Sequence, residues 1–174
     1  METVKGPDSM ERKLESLVDQ FQLPLLRLCF AYLHDEELAK DAVQDTFIKV
    51  YRHLPEFQNA SSEQTWVFRI AINVCKDMKK TPWFRHVDQS VTLDMLPEPI
   101  AANNDNEREL TVQIMQLPPK LREVALLCWF QGMTYESAAE TLGISFQAVG
   151  SRLNRARKKL REYLEGSETD VIER

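Results

Sequence analysis

Apolar residues recur every three or four positions along most of the chain, and no long segment alternates strictly between apolar and polar residues. The first spacing places side chains on one face of an α-helix, whereas strict alternation is typical of a strand. The pattern predicts a helical block from about residue 11 to residue 80, with breaks near Pro24, His34 and Pro55, and a second block from about residue 107 to residue 165. We therefore expect an all-α chain.

A polar segment separates the two blocks. It contains two prolines and four acidic residues but no Lys or Arg, and no helical stripe runs through it. Such a composition is typical of a linker. The prediction is two small helical domains joined by a flexible acidic linker, with a polar tail before the first and a frayed tail after the second. The expected ranges are 1–10 for the tail, 11–85 for the first domain, 86–106 for the linker, 107–165 for the second domain and 166–174 for the frayed end.

Composition narrows the possible classes of protein. The chain has 174 residues, of which 43% are hydrophobic, enough for two small folded domains. Cys29, Cys75 and Cys128 lie far apart in apolar helical patterns, so we expect reduced core thiols. Neither they nor the three scattered histidines have the short paired spacing of a zinc site. Because signal-peptide and membrane-spanning patterns are also missing, we expect a cytoplasmic protein without metal or cofactor and without membrane insertion.

Residues 134–156 carry the pattern of a helix-turn-helix. Thr134 can cap the first helix, Gly143 can end it in a left-handed conformation, and Ser145 can cap the second helix. The small Ala139 and the apolar Val149 have the spacing at which two such helices cross. The sequence therefore predicts this motif near the end of the second domain.

The second helix of this motif has one apolar face and one basic face. Residues 144–161 contain six Lys or Arg and no acidic residue, in a chain whose formal net charge is −5. Arg and Gln can read base edges in the major groove, while Ser and Lys can hold phosphates. A solvated basic face is the alternative, but the attached turn motif favours DNA contact. The predicted contacts are Ser145, Gln147, Ala148, Ser151, Arg152, Arg155 and Lys158.

A helix predicted over residues 35–51 has an acidic face opposite its core stripe. Asp41, Gln44, Asp45 and Ile48 lie together on that face. An apolar residue ringed by acids indicates a surface that binds a basic protein, although single exposed apolar residues are also common. Two carboxylates four residues apart could instead hold a metal or act in acid–base catalysis, but no third ligand accompanies them.

The helix predicted over residues 65–80 has a basic stripe. Trp66 and Phe68 stand at its start, and aromatic with basic side chains suit unpaired nucleic-acid bases. Either aromatic residue could instead belong to the core. The stripe consists of Arg69, Asn73, Lys76 and Lys80.

Taken together, these segments resemble the extracytoplasmic-function (ECF) sigma factors of bacteria. The resemblance covers about residues 11–164 and is carried by DAVQDTFIKVYRHL, TWVFRIAINVCKD and LPPKLREVALLCWFQGMTYESAAETLGISFQAVGSRLNRARKKL, in the family's order. It implies a transcription initiation factor, not an enzyme, that binds core RNA polymerase and directs it to specific promoters. An anti-sigma factor, either membrane-bound or free, is expected to mask its surfaces.

The resemblance also assigns roles to residues. It implies that the helix bearing Asp41, Gln44, Asp45 and Ile48 docks on the clamp helices of the largest polymerase subunit. The helix-turn-helix would read the minus-thirty-five element and meet the polymerase flap. The helix over residues 66–80 would engage the melted minus-ten element, and the loop before it would hold a flipped base. The residues assigned to minus-ten DNA are Asn59, Ser61, Trp66, Arg69, Asn73, Lys76 and Lys80.

Three positions depart from the family pattern in the second helix of the motif. Ala148 replaces a usual Thr, Gly150 replaces a usual Lys or Arg, and Asn154 stands where some members have an aromatic residue. We therefore expect a different promoter preference. The rival reading is a stand-alone helix-turn-helix regulator, which predicts a dimer on a palindrome and leaves the first 80 residues unexplained. An enzyme is disfavoured because no nucleophile–base pair, phosphate loop or metal spacing is present.

Overall fold

The computed structural model describes the backbone of residues 7–86 and 105–172, and the side chains of residues 8–84 and 108–166. Every regular element in these ranges is helical. The chain divides into two compact units, Met1–Gln89 and Ser90–Arg174. The predicted all-α, two-domain fold is confirmed. Residues 87–104, most of the predicted linker, lie outside the described residues.

Unit 1 contains three long helices that pack pairwise against one another. They are α1 (Pro7–Leu33), α2 (Glu36–His53) and α3 (Glu63–Lys79), with short 3-10 turns at Leu54–Glu56 and Pro82–His86. Phe21 of α1 meets Phe68 of α3 edge-on, with ring centroids 6.1 Å apart. The buried side chains at the centre of this unit include Leu17, Phe21, Leu25, Leu28, Val50, Val67, Phe68 and Ala71.

Local capping sets the ends of these helices. The Leu38 amide donates to Asp35 Oδ1 over 2.8 Å at the start of α2. The Thr65 amide donates to Ser62 Oγ over 3.1 Å at the start of α3. His34, at φ 55°, ends α1 in the left-handed region, and its amide donates to the Phe30 carbonyl. The predicted breaks near His34 and Pro55 are confirmed.

The predicted start of α1 and the predicted break at Pro24 are wrong. The helix begins at Pro7, so residues 7–10 of the predicted tail are helical, and it continues through Pro24 to Leu33. Proline suits the first helical position because its backbone N–H would have no partner there. Inside a helix it costs about 3 kcal/mol. The burial of Phe21, Leu25 and Leu28 around the proline offsets that cost.

The described part of unit 2, residues 105–172, contains four α-helices. They are α4 (Asp105–Gln116), α5 (Pro119–Ala125), α6 (Tyr135–Leu142) and α7 (Phe146–Ile172). A π turn over Leu126–Phe130 continues α5, and its backbone bonds include Gln131 amide to Leu126 carbonyl at 3.1 Å. The buried side chains of this unit include Ile114, Leu121, Val124, Leu127, Ala138, Val149, Leu153 and Ala156.

Both outer ends of unit 2 differ from the prediction. Helix α4 begins at Asp105, inside the predicted linker, and α7 continues past Gly166 to Ile172, into the predicted frayed end. Asp is favoured at helix starts because an anion complements the helix dipole there. A single glycine costs a helix about 1 kcal/mol relative to alanine and does not by itself end it.

Arg122 and Arg157 each connect two parts of unit 2. Arg122 of α5 is buried, and its Nη1 donates to the Met115 carbonyl over 2.8 Å, near the end of α4. Arg157 of α7 lies over the ring of Trp129 in the π turn, 5.6 Å from the centroid. The first contact holds α4 against α5, and the second holds the π turn against α7.

Candidate nucleic-acid and protein interfaces

The predicted helix-turn-helix is present as α6 and α7. The Ser137 amide donates to Thr134 Oγ1 over 3.1 Å at the start of α6. Gly143 ends this helix at φ 66°, and the Ala148 amide donates to Ser145 Oγ over 3.1 Å at the start of α7. These local bonds fix the turn, so the angle between the two helices is set by the residues that the sequence singled out.

Helix α7 divides into a buried stripe and an exposed face. Val149, Leu153, Ala156 and Leu160 are all buried, as the spacing predicts. On the other face, Ala148 and Arg152 are half-buried. The remaining predicted DNA contacts are exposed: Ser145, Gln147, Ser151, Arg155 and Lys158.

Arg152 is turned toward the protein. Its Nη1 lies 3.4 Å from Glu123 Oε1 of α5, and the two side chains are only 16% and 12% exposed. A guanidinium paired in this way is already neutralised, so it has less to offer a phosphate or a base. The sequence missed this pairing because Glu123 and Arg152 are 29 positions apart.

An aromatic pair stands at the start of α7. Phe146 is 46% exposed, and its ring centroid lies 5.6 Å from that of Tyr135, with the planes tilted by 51°. A Cβ built at Gly150, one turn along α7, would lie 3.7 Å from the Tyr135 ring. Neither Phe146 nor Tyr135 was predicted from the sequence as a functional residue. The sequence feature that could have indicated Phe146 is its position as a large apolar residue directly after the capping Ser145.

The basic stripe of α3 is present on the surface of unit 1. Asn73, Lys76 and Lys80 are exposed, and Arg69 is half-buried. Lys80, the residue directly after α3, forms an exposed ion pair with Asp77 of that helix, with Nζ 3.0 Å from Oδ1. The stripe therefore presents polar and cationic groups to solvent along one side of the helix.

The two aromatic residues at the start of α3 have different environments. Phe68 is fully buried, which supports the core interpretation for that residue. Trp66 is half-buried and stacks on Phe57, with ring centroids 4.4 Å apart and an interplanar angle of 20°. Phe57 belongs to the segment between α2 and α3, so the stack joins this segment to the base of the stripe. This stack was not predicted from the sequence.

Two clefts flank the segment between α2 and α3. A cleft of 370 Å³ is lined by Phe57, Ser61, Trp66 and Arg69 among others. Asn59, exposed and in the left-handed region at φ 56°, lines a neighbouring cleft of 460 Å³ instead. The structure therefore brings Ser61, Trp66 and Arg69 together and places Asn59 on the other side of the segment. Asparagine tolerates this backbone conformation better than most residues.

The acidic face of α2 borders an apolar groove. Asp41, Gln44, Asp45 and Ile48 are all exposed, and Ile48 retains 44% of its surface. The groove has a volume of 780 Å³. Gln44 and Ile48 line it, together with Leu14, Val18 and Leu26 of α1 and Phe47 and Tyr51 of α2. Sequence reasoning found the α2 face but missed the contribution of α1 and Tyr51. The sequence feature that could have indicated the contribution of α1 is the apolar pair Leu14 and Val18, which lies beside the core stripe of that helix.

Two cysteines meet inside unit 1. Cys29 of α1 and Cys75 of α3 are fully buried. The hydrogen bond with Cys75 and burial together raise the pKa of the Cys29 thiol well above its ordinary value. Cys128 is only half-buried, contrary to the expected core position, and burial raises its pKa although Arg157 opposes the shift. Thiols with raised pKa are poor nucleophiles at neutral pH.

In the part of the chain that the structure describes, no group of three or more His, Cys, Asp or Glu could hold a metal ion. Within the described ranges, none of the helices combines the length and the apolar character that a membrane span requires.

Comparison with known proteins identifies the family. Residues 17–84 match sigma-70 region 2, and residues 107–160 match sigma-70 region 4. The RNA polymerase sigma factor SigZ of Bacillus subtilis (strain 168) is 33% identical over 162 residues, which cover 88% of each chain. The RNA polymerase sigma-H factor of Pseudomonas aeruginosa is 34% identical over 169 residues, covering 89% of this chain and 88% of that one.

Solved structures agree with these relatives. CnrH, in complex with the cytosolic domain of CnrY, has a TM-score of 0.69 at 27% identity, covering 90% of both chains. The sigma factor RpoE of Bartonella quintana, in complex with the anti-sigma factor NepR, has a TM-score of 0.67 at 25% identity, covering 87% of this chain and 98% of that one. The chain therefore belongs to the extracytoplasmic-function group of the sigma-70 family and is a transcription initiation factor that directs RNA polymerase. Members of this family are transcription factors rather than enzymes.

Proposed function

We propose that the chain selects promoters with three surfaces. Helix α7 reads the duplex minus-thirty-five element, the α3 stripe with its adjoining cleft holds the unpaired minus-ten element, and the acidic α2 face with its groove binds core RNA polymerase. The main support for the proposal is the distribution of polar, basic and apolar side chains around α7. Its exposed face bears Gln147, Ser151, Arg155 and Lys158 opposite a fully buried stripe, directly behind a capped turn.

The minus-thirty-five contact rests on the exposed residues of α7. In a helix-turn-helix the N-terminal part of the second helix contacts base edges, while basic residues hold the backbone phosphates. Gln147 and Ser151 would face bases, and Arg155 and Lys158 would face phosphates. Because Arg152 is paired with Glu123, we assign it a positioning role, in which it holds α7 against α5.

The minus-ten contact rests on the α3 stripe and the cleft at its base. Opening duplex DNA costs about 1.4 kcal/mol per base-pair step in lost stacking. A base stacked on an aromatic side chain regains about 1–3 kcal/mol. Trp66 offers such a surface because Phe57 fixes its ring from behind. Arg69, Asn73, Lys76 and Lys80 would follow the single strand, with Ser61 in the cleft and Asn59 beside it.

Polymerase binding rests on the acidic α2 face and its groove. Asp41 and Asp45 would meet basic residues of the polymerase clamp helices, while Ile48 and Tyr51 would supply exposed apolar surface. Charges at the rim of an interface steer association, and buried apolar residues at its centre contribute most of the affinity. The combination of both on one face supports a protein partner rather than nucleic acid. The polymerase flap would meet unit 2.

An anti-sigma factor is the proposed regulator. The solved relative RpoE is bound to the anti-sigma factor NepR, and CnrH is bound to the cytosolic domain of CnrY. We propose that such a protein, free or membrane-bound, covers the polymerase-binding face of this chain in the cytoplasm and releases it on a signal.

Run-off transcription tests the proposal. Purified core polymerase is assayed on a library of bacterial promoters with and without the full-length chain. Promoter-specific transcripts that depend on the chain support the proposed function and give both recognition elements. Asp45→Lys should abolish core binding, whereas Arg155→Met should keep core binding and weaken promoter selection. Absence of stimulation, with dimeric binding of the free chain to a palindrome, would favour a stand-alone regulator.

A further inference from the structure

The first residue of α7 is a large apolar side chain directed to solvent. Phe146 keeps 46% of its surface exposed, whereas the buried stripe of the same helix is formed by Val149, Leu153, Ala156 and Leu160. Phe146 is therefore not needed to fill the core of unit 2. Its position at the start of the helix is the part of a helix-turn-helix that approaches base edges.

The Phe146 ring is held in place by its neighbours. Tyr135 lies against it with a centroid separation of 5.6 Å, and the Ser145 hydroxyl accepts from the Ala148 amide and fixes the first turn. A contact between tilted rings at this distance is favourable for aromatic pairs. The ring is thus presented on a rigid element rather than on a mobile loop.

Gly150 keeps this aromatic surface uncovered. It lies four residues after Phe146, hence on the same side of the helix, and carries no side chain. The Tyr135 ring is 3.7 Å from the position that a Cβ would take there. A Cβ there would be in van der Waals contact with the Tyr135 ring, so a longer side chain would cover part of that ring. The start of α7 therefore presents an apolar patch, Phe146 with Tyr135. The next residue along the helix, Gln147, is polar and exposed.

The major groove contains one apolar group that such a patch can recognise. Thymine carries a 5-methyl group there, and apolar side chains such as Phe contact it. We infer that Phe146, braced by Tyr135 and left uncovered at Gly150, is a specificity-determining residue that reads the 5-methyl group of a thymine in the minus-thirty-five element. The inference rests on the proposed role of α7 in binding that element.

Replacement of thymine by deoxyuridine removes only the methyl group and tests the inference directly. In promoters selected by run-off transcription, each thymine of the minus-thirty-five element is changed to deoxyuridine one at a time. With the wild-type chain, transcription from one of these templates should fall about fourfold, the factor expected when roughly one methyl-sized apolar group loses its contact. With Phe146→Ala, thymine and deoxyuridine templates should be transcribed equally, at about the level of the wild-type chain on deoxyuridine.

Three controls make the outcomes distinct. Phe146→Leu should keep part of the preference for thymine because it stays apolar. Leu164→Ala truncates another exposed apolar residue of α7, 50% exposed, and should discriminate like the wild-type chain. Thermal unfolding of each variant identifies any loss of fold.

The inference is overturned if the wild-type chain shows no methyl-dependent position, or if Phe146→Ala still distinguishes thymine from deoxyuridine. It is also overturned if Phe146→Ala loses core polymerase binding, since Phe146 would then contact protein. Failure of the wild-type chain to direct any specific transcript would instead overturn the proposed function, and the inference with it.

Discussion

Gly143 ends α6 at φ +66°, in the left-handed region, and the chain then turns directly into α7. The Ile144 amide donates to the Ala139 carbonyl over 3.1 Å, which closes the last turn of α6. Most residues with a Cβ are strained in this conformation, whereas glycine is not. Gly143 therefore fixes the direction in which α7 leaves the turn.

Gly143→Ala should lower the free energy of unfolding by about 1–2 kcal/mol, the cost of a left-handed residue with a Cβ. Gly166→Ala is the matched control, because Gly166 lies inside α7 with open space around it and no left-handed φ. That change should be neutral or stabilise by up to about 1 kcal/mol. Urea unfolding followed by circular dichroism measures both. Equal effects of the two changes would contradict the role of Gly143.

The cysteines provide a second prediction at this scale. The hydrogen bond with Cys75 and burial raise the pKa of the Cys29 thiol. Cys29 and Cys75 are both buried and inaccessible to reagents, whereas Cys128 is half-buried. Iodoacetamide at neutral pH should therefore modify Cys128 first and leave Cys29 and Cys75 intact until the chain is unfolded. Peptide mass spectrometry after timed labelling measures the order, with denatured chain as the control. Early modification of Cys75 in the folded chain would show that the α1–α3 contact opens readily.

At the scale of elements, the contact between α5 and α7 holds α7 in its position within unit 2. Arg152 and Glu123 form its ion pair, with both side chains largely shielded from solvent. Arg155, one turn further along α7, is exposed and has been proposed to contact DNA. Two arginines of the same helix thus have different expected roles, which a pair of substitutions can separate.

Arg152→Met should destabilise the chain by about 1–3 kcal/mol, because Glu123 is left without this partner in a shielded site. Arg155→Met should leave stability within about 0.5 kcal/mol and weaken promoter binding instead. Urea unfolding and promoter titration of the reconstituted holoenzyme measure the two effects. If Arg152→Met lost promoter binding without losing stability, Arg152 would be a direct DNA contact.

Elements also show which features the sequence could predict. The turn between α6 and α7 was predictable because Thr134, Gly143 and Ser145 act through bonds to near neighbours. The stack of Trp66 on Phe57 and the groove between α1 and α2 were not, because each depends on how separate helices pack. Pro24 misled the prediction for the same reason: tertiary burial offset a local preference against helix.

At the scale of the whole molecule, each unit contains its own hydrophobic core. The core of unit 1 is built from α1, α2 and α3, and that of unit 2 from α4 to α7. The family match divides in the same way, with region 2 within unit 1 and region 4 within unit 2. Each unit is large enough to fold without the other.

We expect the fragments 1–89 and 90–174 to fold separately. Each should unfold cooperatively on heating, and the sum of their far-ultraviolet circular dichroism spectra should match that of the full chain. An equimolar mixture of the fragments provides the control for association between them. A fragment that melts without a cooperative transition would show that its core depends on the other unit.

The π turn over Leu126–Phe130 has a consequence for how this family of sequences can change in length. A π turn contains one more residue than an α turn of the same rise. Loss of one residue there would leave an ordinary α turn, and α6 and α7 would keep their orientation. Loss of one residue within α6 would instead rotate all later positions of that helix by about 100° and move Gly143 out of place. Evolutionary deletions in unit 2 should therefore be tolerated at this π turn more readily than within the helix-turn-helix of α6 and α7.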